Sequence, residues 1–317
     1  MITQRLDLAK EALLANDIIA IPTETVYGLA GNAFDPAVIE KIFSLKKRPF
    51  YNPLIVHISS AGHLAEVACE IPALATKLAN EFWPGPLTLI LKKQPHIPDL
   101  VTAGKSTVAV RVPNHPLTLA LLAELPFPLA APSANPFGSI SPTTAQHVQQ
   151  YFGDELAVVL DGGECQKGLE STIIGFENGQ AVLYRLGAIA IEDIEKVIGK
   201  IGFHTKNDTD PSAPGMLSRH YSPATKTYLT DDVRTFVQGF PDKKIGVLCF
   251  QTPVDEVHVQ HQEILSPSGD LNEAAKNLYA AMHRLDELDL DMIVAERFPD
   301  FGLGKTINDR LQRAVEE

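Results

Sequence analysis

From Ile19 to Ile58 the chain reads I-A-I-P-T-E-T-V-Y-G-L-A-G-N, a helical stretch, then S-L-K-K-R-P-F-Y-N-P-L-I-V-H-I. Few folds accommodate that succession. Ile18 to Ile21 is a short apolar run of the kind a buried strand carries, and Pro22 ends it by removing a backbone donor. Thr23-Glu24-Thr25 follows as a hydroxyl-rich turn, and then come the glycines Gly28 and Gly31. Asp35-Pro36 opens a helix, with the acid at N-cap and the proline at N1; Val38, Ile39, Ile42 and Phe43 then fall at helical spacing. The helix runs out into Lys46-Lys47-Arg48-Pro49, and Leu54 to Ile58 reads as a second strand. The two strands are expected to frame a pocket with hydroxyls on one side and fixed positive charge on the other, which suits an anionic substrate.

The rest of the chain keeps alternating. Helical patterns cover 5–16, 61–68, 72–82, 115–124, 143–151 and 191–198. Strand-like runs cover 87–91, 107–112, 128–131, 158–161, 171–176 and 181–184, and Pro84-Gly85-Pro86 forces a turn. This is the pattern of an α/β domain of about 200 residues around a mixed sheet. Residues 206–223 are polar, proline-rich and without periodicity, a linker by composition. Their second half, P-G-M-L-S-R-H-Y-S-P, is too mixed in basic, polar and aromatic residues to be only a spacer. A second α/β unit follows, with strands at 244–250 and 292–295 and helices at 272–288 and 306–315. The division expected is therefore 1–200, a linker at 201–224, and 225–317. There is no internal repeat.

Composition narrows the function. No apolar run reaches the ~20 residues of a membrane helix, and the N-terminus has no signal-peptide h-region. Cys69, Cys165 and Cys249 are an odd, scattered set that suggests a reducing compartment, so the cytoplasm is expected. Net charge is −12, and both 1–200 and 201–317 are negative. A protein that coats nucleic acid is usually basic. The few clustered cations of the first domain instead suggest a local site for a small phosphate ligand.

Lys46, Lys47 and Arg48 viewed alone could be a solvated helix end favouring the macrodipole, but Pro49 and Asn52-Pro53 pin the following chain more than such an end requires. Arg111, in V-A-V-R-V-P, must be paired or line a site, because an unpaired buried charge is expensive. Arg185 repeats the pattern after V-L-Y, and ligands in open α/β sheets lie beyond strand ends. Ser133 and Asn135 in A-P-S-A-N-P, and Gly168-Leu169-Glu170-Ser171-Thr172, are each readable as ordinary turns; together they form a set of hydroxyl-rich strand ends. Standard motifs fail. Gly304-Lys305-Thr306 ends like a P-loop, but Pro299 stands where its first glycine belongs. There is no G-x-G-x-x-G and no G-x-S-x-G. His258 and His261 have no cysteine pair to support a metal site, and Cys165 reads as incidental.

P-T-E-T-V-Y-G-L (22–29), K-K-R-P (46–49), N-P-L (52–54), A-P-S-A-N (131–135) and G-L-E-S-T (168–172) resemble the YrdC-like family. The linker motif and the tail G-L-G-K-T-I-N-D-R-L resemble its long form; the tail departs mildly at Lys305-Thr306. The resemblance implies an open twisted mixed sheet with helices, plus a smaller Rossmann-like α/β C-terminal domain. It also implies an enzyme that condenses L-threonine, bicarbonate and ATP into threonylcarbamoyl-AMP and diphosphate, for modification of tRNA next to the anticodon. Carried over by position, the family pattern makes Lys46 and Arg48 the catalytic phosphate clamp. Arg48, Asn52, Thr107, Ser133, Asn135, Ser141, Arg185 and Tyr221 would serve ATP, and Thr25, His57, Arg111, Ala131 and Ser171 would hold threonine. Mg2+ would accompany ATP without a dedicated protein metal site, and 212–223 would close as a lid. The product would pass to a downstream tRNA-modifying transferase complex, with tRNA contact weak or indirect and no membrane involved. Two other readings stand beside this: an RNA-binding module without catalysis, and carbamoyl transfer from carbamoyl phosphate, against which the missing acylphosphatase and zinc-finger modules argue.

Overall fold

The computed structural model describes residues 1–204, 221–256 and 259–315. Most of the expected lid, from 212 to 220, and His258 lie outside the described residues. The first part is an α/β layer built on a twelve-stranded mixed sheet. Across it run Ile2–Thr3, Val159–Leu160, Ile19–Ile21, Gly28–Asn32, Leu129–Ala130, Ile55–His57, Thr107–Arg111, Leu87–Lys93, Thr172–Glu177, Gln180–Arg185 and Gly202–Phe203. Ala68–Cys69 pairs with Leu87–Lys93 outside that path.

Ile19–Ile21 and Ile55–His57 are separated in the sheet by Gly28–Asn32 and Leu129–Ala130. Gly28–Asn32 is a strand antiparallel to Ile19–Ile21. Its small residues answer a packing demand. A Cβ on Gly31 would stand 2.5 Å from Val38 Cγ1 and 3.2 Å from Ile18 Cγ2, so the helix Pro36–Lys46 lies directly on this strand. That helix begins as expected, with the Asp35 carboxylate accepting from the Ala37 amide and proline at its start. The stretch expected as one helix at 61–68 is a 3-10 turn, Ala61–His63, followed by the short helix Leu64–Val67.

Register places the functional rows. Parallel pairing sets His57 beside Arg111 and Ile55 beside Ala109; antiparallel pairing sets Ile90 beside Ala109 and Lys92 beside Thr107. Alternation along a strand then puts Thr107, Ala109 and Arg111 on one face. Ile55, Ile90, Ala109 and Ile173 form an apolar strip on it, with Tyr184 packed alongside.

The second part is a four-stranded, wholly parallel sheet in the order Thr227–Thr230, Met292–Glu296, Ile245–Cys249, Val259–Ile264. One core joins the helix Val233–Gln238 to this sheet. A second core brings in the helices Leu271–Asp286 and Leu303–Ala314, and also takes in Val26, Ile140, Leu169 and Tyr221. The two sheets therefore share a buried interface. Gly168, at φ +68°, lies so close to the Lys276 backbone that a Cβ would stand 2.2 Å from its carbonyl oxygen. Among the described residues no helix is long and apolar enough to cross a membrane.

Candidate functional site

A pocket opens where the rows described above end. It is lined by Thr23, Thr25, Val26, Gly28, Arg48, Ile55, His57, Arg111, Ala131, Pro132, Ser133, Glu170, Ser171, Arg185 and Tyr221. The loops that close it come from sites far apart in the sequence, and each is held by a local device.

Lys46-Lys47-Arg48 is the first of these. Lys47 takes a left-handed conformation at φ 51°, with the Arg48 amide donating to the Phe43 carbonyl and the Lys47 amide to that of Ser44. This closes the helix with the double bond pattern of a Schellman turn. The reversal turns both flanking cations inward: Lys46 is 1% exposed and Arg48 7%. A solvated helix end is thereby ruled out. Arg48 is anchored by the carbonyls of Asn52 (3.1 Å) and Pro53 (2.8 Å) and lines the pocket. Burial, with repulsion from Arg185, pushes its guanidinium down to about 9. The Lys46 ammonium instead donates to the carbonyls of Ser133 (2.6 Å) and Asn135 (2.5 Å), and it does not line the pocket. Burial drives it well below the usual lysine range, and Arg48 adds to the effect.

Arg111 is the second anchor. Its Nη2 pairs with Glu24 at 2.8 Å and donates to Thr25 Oγ1 at 2.9 Å, while Nε reaches the Gly85 carbonyl at 3.3 Å. Thr23 Oγ1 lies 2.8 Å from Thr25 Oγ1, completing a hydroxyl edge beside the guanidinium. His57 is pushed down to about 3 by burial and by Arg111, so its ring is neutral at pH 7. Arg185 donates through Nε and Nη2 to the Ser171 carbonyl (3.2 and 2.9 Å) and to Ser171 Oγ (3.1 Å). Ser171 Oγ lies 2.7 Å from Thr88 Oγ1.

The structure thus brings Thr25, Arg48, His57, Arg111, Ala131, Ser133, Ser171, Arg185 and Tyr221 around one pocket. Four other expected residues stand outside it, as Lys46 does. Asn52 is fully buried, and its side-chain amide has no hydrogen-bond partner among the described residues. Asn135 closes its own loop by donating to the carbonyls of Pro136 and Ser139. Ser141 donates to Glu170 at 2.7 Å. Thr107 lines a neighbouring groove with Ile90, Lys92, Lys105 and Tyr184, one row beyond the apolar strip. The sequence reading did not assign Glu24, Thr88 or Glu170. A carboxylate set between a glycine turn and two hydroxyls, as in G-L-E-S-T, was the available signal for Glu170. The Cys165 thiol is buried and raised by that burial, as an inert cysteine is. Gly304-Lys305-Thr306 is a dock and not a phosphate loop: Lys305 pairs with Glu192 at 2.7 Å and Thr306 Oγ1 donates to the Gly187 carbonyl.

Fold and pocket together define the class, a YrdC-like α/β domain with an arginine-lined pocket at its strand ends, backed by a parallel α/β domain. Residues 11–187 match the Sua5, YciO and YrdC family model, described as "Telomere recombination", and residues 189–315 match "Threonylcarbamoyl-AMP synthase, C-terminal domain". A threonylcarbamoyl-AMP synthase from Pyrococcus abyssi is 40% identical over 311 residues, covering 94% of this chain and 90% of that protein. One from Bacillus subtilis is 39% identical, covering 97% and 92%. The crystal structure of P. abyssi Sua5 complexed with L-threonine superposes with a TM-score of 0.90 at 38% identity, over 98% of this chain and 93% of that one. The chain belongs to the threonylcarbamoyl-AMP synthase family, in its two-domain form.

Proposed function

We propose that the chain condenses L-threonine, bicarbonate and ATP into threonylcarbamoyl-AMP, releasing diphosphate, for modification of tRNA next to the anticodon. The observation that carries this reading is the single sheet face on which Arg111, the apolar strip and Thr107 follow one another, with Arg48 and Arg185 at the edge of the pocket. In this reading Arg111 grips the threonine carboxylate with a guanidinium fork, already aimed by Glu24 and Thr25. The neutral His57, with Ser171 and the Ala131 backbone, bounds the threonine side. The threonine amine takes up CO2 as a carbamate, whose oxygen attacks the α-phosphate while diphosphate leaves.

Such adenylyl transfer is mostly positioning and neutralisation of charge building on the phosphates. Arg48 and Arg185 supply that charge, and Ser133 contacts the nucleotide. The purine lies over the Ile55–Ala109–Ile90 strip toward Thr107. Lys46 acts through the Ser133–Asn135 loop, which it holds by two carbonyls. Asn52, a nucleotide contact in this reading, stands outside the pocket with its buried amide unpartnered among the described residues, which asks for a partner. Mg2+ supplies further charge neutralisation when bound. In this reading it would be held mainly by ATP and water. Tyr221 would cover the nucleotide and the segment at 212–223 would shield a hydrolysable product from water. The reading places the protein in the cytoplasm and hands the product to a separate transferase complex. The test is diphosphate release from ATP and bicarbonate with a panel of amino acids. Release with threonine or a close analogue is expected, and release without any amino acid would sink the reading.

A further inference from the structure

Glu170 lines the pocket, yet the roles above leave it without one. Its carboxylate is held by donors from distant parts of the chain: Ser141 Oγ at 2.7 Å, Tyr279 OH at 3.1 and 3.0 Å to its two oxygens, and Arg310 Nε at 2.9 Å. Arg310 and Tyr279 belong to the C-terminal helices, and neither lines the pocket. Arg310 is 0% exposed. Its Nη2 donates to the Leu186 carbonyl at 2.6 Å, its Nη1 pairs with Asp309, and its guanidinium lies 4.8 Å from the centroid of the Tyr221 ring. That ring stacks on Tyr279 with centroids 5.7 Å apart. Burial pushes the Glu170 carboxyl upward, but Arg310, Arg185 and the Ser141 hydroxyl outweigh it and hold it at about 2. Glu170 is therefore an anion beside the proposed phosphate subsite.

An unoccupied carboxylate there would harm nucleotide binding twice. It would repel the phosphates, and it would compete with them for Arg185, which is bonded to the adjacent residue Ser171. We propose that Arg310 is a positioning residue for the nucleotide: it engages Glu170 from the C-terminal domain, so that the carboxylate draws less on Arg185, and packs Tyr221 against the pocket. This deepens the synthase reading and rests on it. It also gives the C-terminal domain a physical part in the site, as the source of the charge that neutralises one wall.

The experiment titrates the full chain by calorimetry with Mg2+ and a non-hydrolysable ATP analogue, and separately with L-threonine. Losing a charged hydrogen bond predicts that Arg310→Met weakens the analogue about tenfold while threonine affinity stays within about threefold. Adding Glu170→Gln should restore analogue affinity to within about threefold of wild type, because a neutral amide no longer competes for Arg185. A purely structural contact would make the double variant as weak as the single one or weaker, and that result overturns the proposal. Equal loss of threonine and nucleotide affinity in Arg310→Met overturns it too. Should Arg310→Met fail to fold, Arg310→Lys keeps a charge for Glu170 and should hold analogue affinity within about threefold; a loss of about tenfold refutes it. Wild-type protein that releases no diphosphate with threonine would sink the functional reading instead, while the analogue titrations still decide the role of Arg310.

Discussion

Arg111→Met offers a test in which stability and binding separate. Arg111 and Glu24 are each 4% exposed and pair at 2.8 Å, so the pair falls outside the exposed regime where ion pairs contribute about 0–1 kcal/mol. Removing the guanidinium also strips a hydrogen bond from Thr25 Oγ1. It leaves Glu24 with the Asn114 amide as its recorded donor, since Glu24 Oε1 has no hydrogen-bond partner among the described residues. Breaking one side of a buried pair costs about 3–5 kcal/mol, because a charge is left buried and uncompensated. Urea denaturation at pH 7 should show that loss as a lowered midpoint with an unchanged slope. Adding Glu24→Gln removes the stranded charge while its amide oxygen can still accept from Asn114. Most of the lost stability should return, although threonine binding should not, because the carboxylate fork is still missing. A single variant that loses less than about 1 kcal/mol, or a double variant no more stable than the single, would refute the argument.

Arg48→Ala and Lys46→Ala should each lower diphosphate release by about 10²-fold or more, as loss of a transition-state charge does; wild-type rates in both would mean the cations serve no phosphate. Gly168→Ala introduces a Cβ 2.2 Å from the Lys276 carbonyl oxygen in a left-handed conformation, so thermal unfolding should begin well below the wild-type temperature, and an unchanged melting point would contradict the close approach. His283 is buried: its Nε2 donates to the Ser141 carbonyl at 3.2 Å and its ring stacks on His147 at 3.9 Å. Burial holds both imidazoles down at about 4. The unfolded chain therefore binds more protons between about pH 6.5 and 4, and stability should fall with pH through that window. His283→Gln should flatten that slope in urea titrations, and an unaltered slope would exclude the pair as its source.

Much of this architecture was legible in the sequence. Asp35-Pro36, the apolar periods and the expense of burying Arg111 each pointed to an element or a site that the structure contains. What escaped was set by contacts the local chain does not encode. Gly28–Asn32 was not read as a strand, because its Gly31 answers to the helix Pro36–Lys46, and that is a tertiary demand. Val259–Ile264 was missed because four of its six positions are polar, at the edge of the small sheet. Lys46 was expected in a phosphate clamp by family resemblance, but not as a cation turned toward the Ser133–Asn135 carbonyls, which depends on a loop nearly ninety residues away. The partnership of Glu170 with Arg310, 140 residues apart, has no trace in spacing or propensity.

The alternation of Thr107, Ala109 and Arg111 along one strand also sets a length. Four residues of extended chain span about 13 Å, and a strand paired on both sides cannot stretch or slip to suit a ligand. A hybrid inhibitor joining an amino-acid carboxylate to adenosine through a stable phosphate mimic gains effective concentration when its linker matches that span. One methylene too many or too few should cost affinity here more than it would between two mobile loops, so a linker-length series would measure how rigid this strand is.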